Sequence, residues 1–106
     1  MVKIPLNIEP SQSLKVVLAG QNCEIKVYYR FGSMFLDLIC NNKAIQTGAK
    51  CTNRNAIIIK ATNDFKGNLF FVDLLGDNSP DYKGFGARYS LLYVSENERM
   101  PAGLMV

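Results

Sequence analysis

From Ser13 onward the chain alternates apolar and polar positions with a period of two. Leu14, Val16 and Leu18 alternate with Lys15, Val17 and Ala19, and after Gly20-Gln21 the series Cys23, Ile25, Val27, Tyr29 alternates with Asn22, Glu24, Lys26, Tyr28. A pleated strand sends successive side chains to opposite faces, so this pattern predicts a hairpin with one face in a core and one toward water. The β-branched and aromatic residues, with charges at every second position, argue against a helix. Arg30-Phe31-Gly32-Ser33 supplies the next reversal, Gly32 being free to take positive φ, and Met34 to Cys40 reads as a third strand. Asn41-Asn42 is a type I′ turn signal, because both central residues of that turn need positive φ and Asn is the best choice after glycine. It predicts a fourth strand in which Leu38 faces Ile45. Loops this short force antiparallel pairing, since a parallel partner needs a crossover of roughly a dozen residues.

The pattern breaks at Thr52-Asn53-Arg54-Asn55 and resumes over Ala56 to Lys60 as a short strand, apolar on both faces, expected to be central or covered by another chain. After a polar loop over Thr62 to Lys66, two aromatic-rich runs follow, Gly67 to Gly76 and Gly84 to Tyr93. In the first, Phe70, Val72 and Leu74 lie on one face, and Leu69, Phe71 and Leu75 lie on the other with Asp73 among them. Two greasy faces require a second sheet or a partner. The connection Asp77 to Gly86 is long and carries Tyr82 and Phe85 among turn formers. Long loops are where function concentrates, and the two rings are either interface anchors or a lid folded onto the core. Gly84 and Gly86 do not make a dinucleotide fingerprint, because a strand follows where that motif needs a helix. Ala87 to Val94 is the last strand, and Ser95 to Glu98 caps at most one helical turn before Pro101.

At the ends, Pro5 and Pro10 rule out a regular helix, so residues 1–13 are expected to form an extended arm. Ile4, Leu6 and Ile8 give it one greasy side, for an edge of its own sheet or for a neighbour. Residues 95–106 form a tail, apolar from Met100, either frayed or docked. The expected fold is a single all-β domain over residues 1–106: an antiparallel β-sandwich or partly open β-barrel of about seven strands.

Composition narrows function more than fold. A chain of 106 residues buries roughly two-thirds of its unfolded surface as one domain. No apolar run reaches the roughly 20 residues that span a bilayer. Asn7, Glu9 and Gln12 interrupt the first residues before an apolar segment of signal-peptide length, so cytoplasmic synthesis without a membrane stage is expected. The net charge of +3 comes from 12 Lys and Arg against 9 Asp and Glu, spread singly, where nucleic-acid binders concentrate cations in a patch. Cys23, Cys40 and Cys51 form no ligand knuckle and, with no histidine in the chain, read as small buried hydrophobes, with no metal or other cofactor. The missing histidine also removes the usual general base, and no nucleophile or phosphate-loop motif is present, so no catalytic residues are assigned.

Several segments, in order, resemble a known family. Ile4-Pro5-Leu6 stands near the start, Pro10-Ser11-Gln12-Ser13-Leu14 leads into the first strand, and two hairpins follow at Leu18 to Ile25 and Leu36 to Ile45. The closing pattern is Gly67-Asn68-Leu69-Phe70-Phe71, then Pro80-Asp81-Tyr82, then Gly84-Phe85-Gly86-Ala87-Arg88-Tyr89-Ser90-Leu91-Leu92-Tyr93. This ordered set, from Ile4 to Tyr93, resembles the baseplate plug proteins of contractile-tailed bacteriophages and related prophages. The tail Met100 to Val106 departs from it. The resemblance implies a structural virion protein at the hub of the tail baseplate, closing the tail tube until injection, with no catalysis and no cofactor. It also implies contacts with hub, tail-tube or spike proteins, in several copies around the tail axis, after synthesis in the bacterial host cytoplasm. Candidate partner-contact residues are Ile4, Leu6, Phe71, Tyr82, Phe85 and Leu104. The alternative is a small β-barrel that binds single-stranded nucleic acid, with Tyr28, Tyr82 and Phe85 as stacking platforms. An enzyme using one of the cysteines lacks a base.

Overall fold

Three tight turns set the architecture. Ala19-Gly20, Phe31-Gly32 and Asn41-Asn42 each place two successive residues at positive φ, between 51° and 78°, as two-residue hairpin turns of the I′ kind demand. They fold β2 (Ser11–Leu18), β3 (Gln21–Arg30), β4 (Ser33–Cys40) and β5 (Lys43–Lys50) into a four-stranded antiparallel meander in that order. A second antiparallel sheet, ordered β1-β7-β6, is built from β1 (Val2–Ile4), β6 (Asn68–Asp73) and β7 (Tyr89–Val94). The structure, a computed structural model, describes residues 1–58 and 64–95. Among them no helix is long and apolar enough to cross a membrane.

The alternation read from the sequence decides which faces meet. Cys23, Ile25 and Val27 of β3 and Met34, Leu36, Leu38 and Cys40 of β4 are buried, and they share one core with Leu69 and Phe71 of β6 and Leu91 and Tyr93 of β7. The two sheets thus form a sandwich that is not closed into a barrel, which resolves the two expected architectures. The other face of the small sheet is also apolar, with Phe70, Val72, Leu92 and Val94 gathered in a second cluster. The first residues enter the fold as well. Val2 pairs with Tyr93 and Ile4 with Leu91, so the front of the expected arm is an edge strand of its own sheet. Beyond it, Gln12 ties the bend, its Oε1 accepting from the Asn7 amide at 2.9 Å and its Nε2 donating to the Asn7 carbonyl at 2.7 Å.

Two expectations are corrected. Leu38 lies opposite Gln46, not Ile45, because β5 carries extra residues: Ile39 pairs with Ala44, and the register shifts again before Leu36 meets Ala49. Gly48 sits in the second irregularity at φ 62°, and its amide donates to Asp37 Oδ1 at 2.7 Å, so a side chain takes the place of a ladder partner. The segment after the break meets β6 through single bridges, Asn53 to Phe71 and Ala56 to Phe70, and the described part of the expected strand, residues 56–58, forms no regular strand. Asn68 anchors this segment: its side-chain amide accepts from the Ile58 N–H and donates to the Ile58 carbonyl, both at 2.8 Å. Ile57 and Ile58 are buried, whereas Ile59 and Lys60 fall outside the described residues.

Candidate partner-contact surface

The connection between β6 and β7 is held by one carboxylate. Asp73, 1% exposed, receives Arg88 Nε and Nη2 at 2.8 Å each. It also receives the amides of Leu75 at 2.9 Å and Asn78 at 2.8 Å. Its own amide donates to Asn53 Oδ1, and Arg54 reaches its carbonyl as well as Asp77. Arg88, first among the causes, and then the two amides hold the Asp73 carboxyl well below the usual carboxylate range, against the opposing effect of burial. Five hydrogen-bonding groups therefore meet where the sequence showed only an acid in an apolar run.

The glycines and aromatics of the closing pattern form the rest of this frame. A Cβ at Gly84 would stand 2.7 Å from the Tyr89 ring, which packs under the Arg88 guanidinium at 5.2 Å. At Gly67, φ is 92° and a Cβ would meet the Val94 carbonyl at 2.5 Å. Tyr93 sends its hydroxyl to the Lys66 carbonyl at 2.7 Å. Between them the loop makes one 3₁₀ turn, Tyr82–Gly84, capped by Asp81, whose side chain accepts from the Lys83 amide. Phe85 then turns inward and stacks on Phe71, with ring centres 5.6 Å apart.

This frame separates the candidate contact residues. Ile4, Phe71 and Phe85 are buried at 2% exposure or less, so the sandwich itself consumes their side chains and they offer no outer surface. Phe85 takes the lid position, folded onto the core. Leu6 and Tyr82 are partly buried against the core, and Tyr82 sets its edge on Tyr29 at 5.6 Å. Leu104 and the rest of the tail beyond Ser95 lie outside the described residues. Of the proposed stacking platforms, Phe85 is internal. Tyr28 lies between Phe35 and Arg30 with its hydroxyl on Asp37, and burial, followed by that hydrogen bond, raises its phenol above the ordinary value. Among the described residues, Lys43 pairs with Asp64, Arg54 with Asp77 and Arg88 with Asp73.

The exposed apolar groups are elsewhere. Phe31 is 93% exposed at the tip of the β3–β4 turn, at φ 52°. A non-glycine residue in that region costs roughly 1–2 kcal/mol, and a phenyl ring in water adds the loss of its burial. The fold gains nothing from either. Tyr29 stands two residues before it, half exposed. Leu74 and Leu75 point outward from the turn after β6 although the Leu75 backbone is pinned to Asp73. Sequence reading took Phe31 as one residue of a turn and assigned Leu74 and Leu75 to strand faces. The available signal was Phe-Gly at a hairpin tip, where Asn-Gly would fold better.

A protein-family model described as the cyanophage Pam3 baseplate plug gp18 matches residues 1–96. No curated protein matches the chain. The chain belongs to that baseplate plug family.

Proposed function

With membership of the baseplate plug family as the premise, we propose that this chain is a non-catalytic subunit of a contractile phage tail baseplate that seals the tube end by packing against tail-tube, hub or spike proteins. Several copies surround the tail axis, and the protein is made in the host cytoplasm and delivered to the virion during assembly. The observation that carries the contact reading is Phe31, a fully presented ring in a backbone conformation that disfavours it. Aromatic anchors that fill a partner's pocket dominate binding energy in protein interfaces, and a residue costly to the isolated fold is accounted for by such a pocket. Tyr29 and Tyr82 extend this apolar end, and Leu74 and Leu75 offer a second contact on a rigid turn.

Assembly of tails carrying Phe31→Asp tests the proposal. The variant is expected to fold and to be missing from purified baseplates by mass spectrometry. Its incorporation at wild-type level would remove Phe31 as an anchor, and absence of the wild-type protein from intact baseplates would remove the reading altogether. Salt-sensitive binding of a single-stranded oligonucleotide would instead favour the nucleic-acid alternative.

A further inference from the structure

Cys23 and Cys40 are directly opposed in the β3–β4 ladder. The Asn41 amide donates to the Asn22 carbonyl at 3.0 Å, one residue outside the pair on each strand, which makes Cys23 and Cys40 a non-hydrogen-bonded pair. Such pairs bring side chains closest, with Cα atoms about 4.5 Å apart, inside the range that a disulfide accepts. Both residues are buried, both thiols are free, and their Sγ atoms lie 2.7 Å apart. Cys51 is different: its sulfur lies 3.7 Å from the Ala49 carbonyl, and burial pushes its thiol up to about 12. Two thiols in sulfur-to-sulfur contact at the rim of a two-residue turn are more than small core fillers.

We propose that Cys23 and Cys40 form a redox modification site, a dithiol in reducing surroundings that closes to a cross-strand disulfide under a peroxide oxidant. The sulfur of one thiol attacks one peroxide oxygen, the O–O bond breaks, and the first water leaves as a sulfenic acid forms. The sulfur of its partner then displaces the sulfenic hydroxyl, the S–S bond forms, and a second water leaves. Two thiols are oxidised by two electrons, hydrogen peroxide is reduced to two waters, and the two thiol protons end in the waters. Burial, followed by the contact with Cys23, raises the Cys40 thiol above its ordinary value, so both sulfurs remain thiols in reducing surroundings until an oxidant arrives. A virion protein leaves a reducing cytosol for oxidising surroundings, so the bond closes after assembly and clamps the hairpin that carries Phe31 at its far end. That timing rests on the baseplate reading; the chemistry of the pair does not.

The test uses the full chain, reduced and then exposed to hydrogen peroxide, unfolded and alkylated with iodoacetamide. Alkylation is expected to fall from all three cysteines to Cys51 alone, with a peptide map joining Cys23 to Cys40 and no intermolecular bond. Cys51→Ser should behave like the wild type, and Cys23→Ser should give no intramolecular bond. The oxidised wild type should melt higher than the reduced form, a gain absent from Cys40→Ala. Three alkylated cysteines after peroxide, or a bond through Cys51, would overturn the proposal.

Discussion

Arg88 meets Asp73 with two parallel N–H groups, Nε to Oδ1 and Nη2 to Oδ2, each at 2.8 Å, across the start of the β6–β7 hairpin. The fork matches the carboxylate edge, so the pair fixes direction as well as charge. Because the carboxylate also accepts two loop amides, removing either partner unfastens more than an ion pair.

Arg88→Met should therefore destabilise the domain more than Asp73→Asn, since it leaves a buried carboxylate without its cation, and the double variant should be less impaired than Arg88→Met alone. Thermal melts of the three variants check the order. A double variant as impaired as the sum of the singles would show that the two side chains act independently.

The same contact sets an acid limb. The folded Asp73 carboxyl titrates below its ordinary value of 3.8, so as pH falls through that value the unfolded chain takes up a proton that the folded chain refuses. Stability from this group is fully present above that pH and is lost progressively below it. Denaturant midpoints measured from neutral pH to below pH 3 should fall for the wild type and fall less steeply for Asp73→Asn.

Phe85→Ala should cost about 3–5 kcal/mol, because it opens a cavity beside Phe71, whereas Tyr82→Ala should cost about 1 kcal/mol or less from one edge contact. Urea unfolding separates them. A mild Phe85→Ala would mean that the ring's inward position contributes little to the core.

Phe31→Asn should hold or raise the melting temperature, since Asn tolerates the left-handed region better and no burial is lost, yet it should reduce incorporation into baseplates. Loss of stability would contradict the account of Phe31 as a residue that costs the isolated fold.

Gly67→Ala should prevent folding or lower the melting temperature far more than Gly20→Ala, although both positions have positive φ. At Gly20 the added methyl meets open space and only the backbone cost of roughly 1–2 kcal/mol remains, while at Gly67 it meets the β7 carbonyl of Val94. Circular dichroism melts distinguish the two.

The meander was legible because period-two alternation and the Gly20, Gly32 and Asn41-Asn42 turns act locally. What was hidden depended on contacts distant in sequence. The second irregularity of β5, at Gly48, is held by Asp37 on the neighbouring strand, and Ile58 is held by the Asn68 side chain ten residues on. The inward turn of Phe85 depends on the space beside Phe71, which no local pattern reports. The closing pattern was read as a family mark. Its Gly67, Gly84, Arg88 and Tyr89 also brace one loop, which the pattern alone does not reveal.

The displaced register of β5 also bears on how copies can associate. A bulged strand with Gly48 at positive φ is a poor template for a further strand, so the large sheet is blunt on one side and regular on the other, where β2 runs for eight residues. The β2 edge joined to its like gives a two-fold pair that closes on itself and does not continue around an axis. For copies arranged around an axis, as proposed above, that pairing is a dead end, and the joint is expected between unlike surfaces.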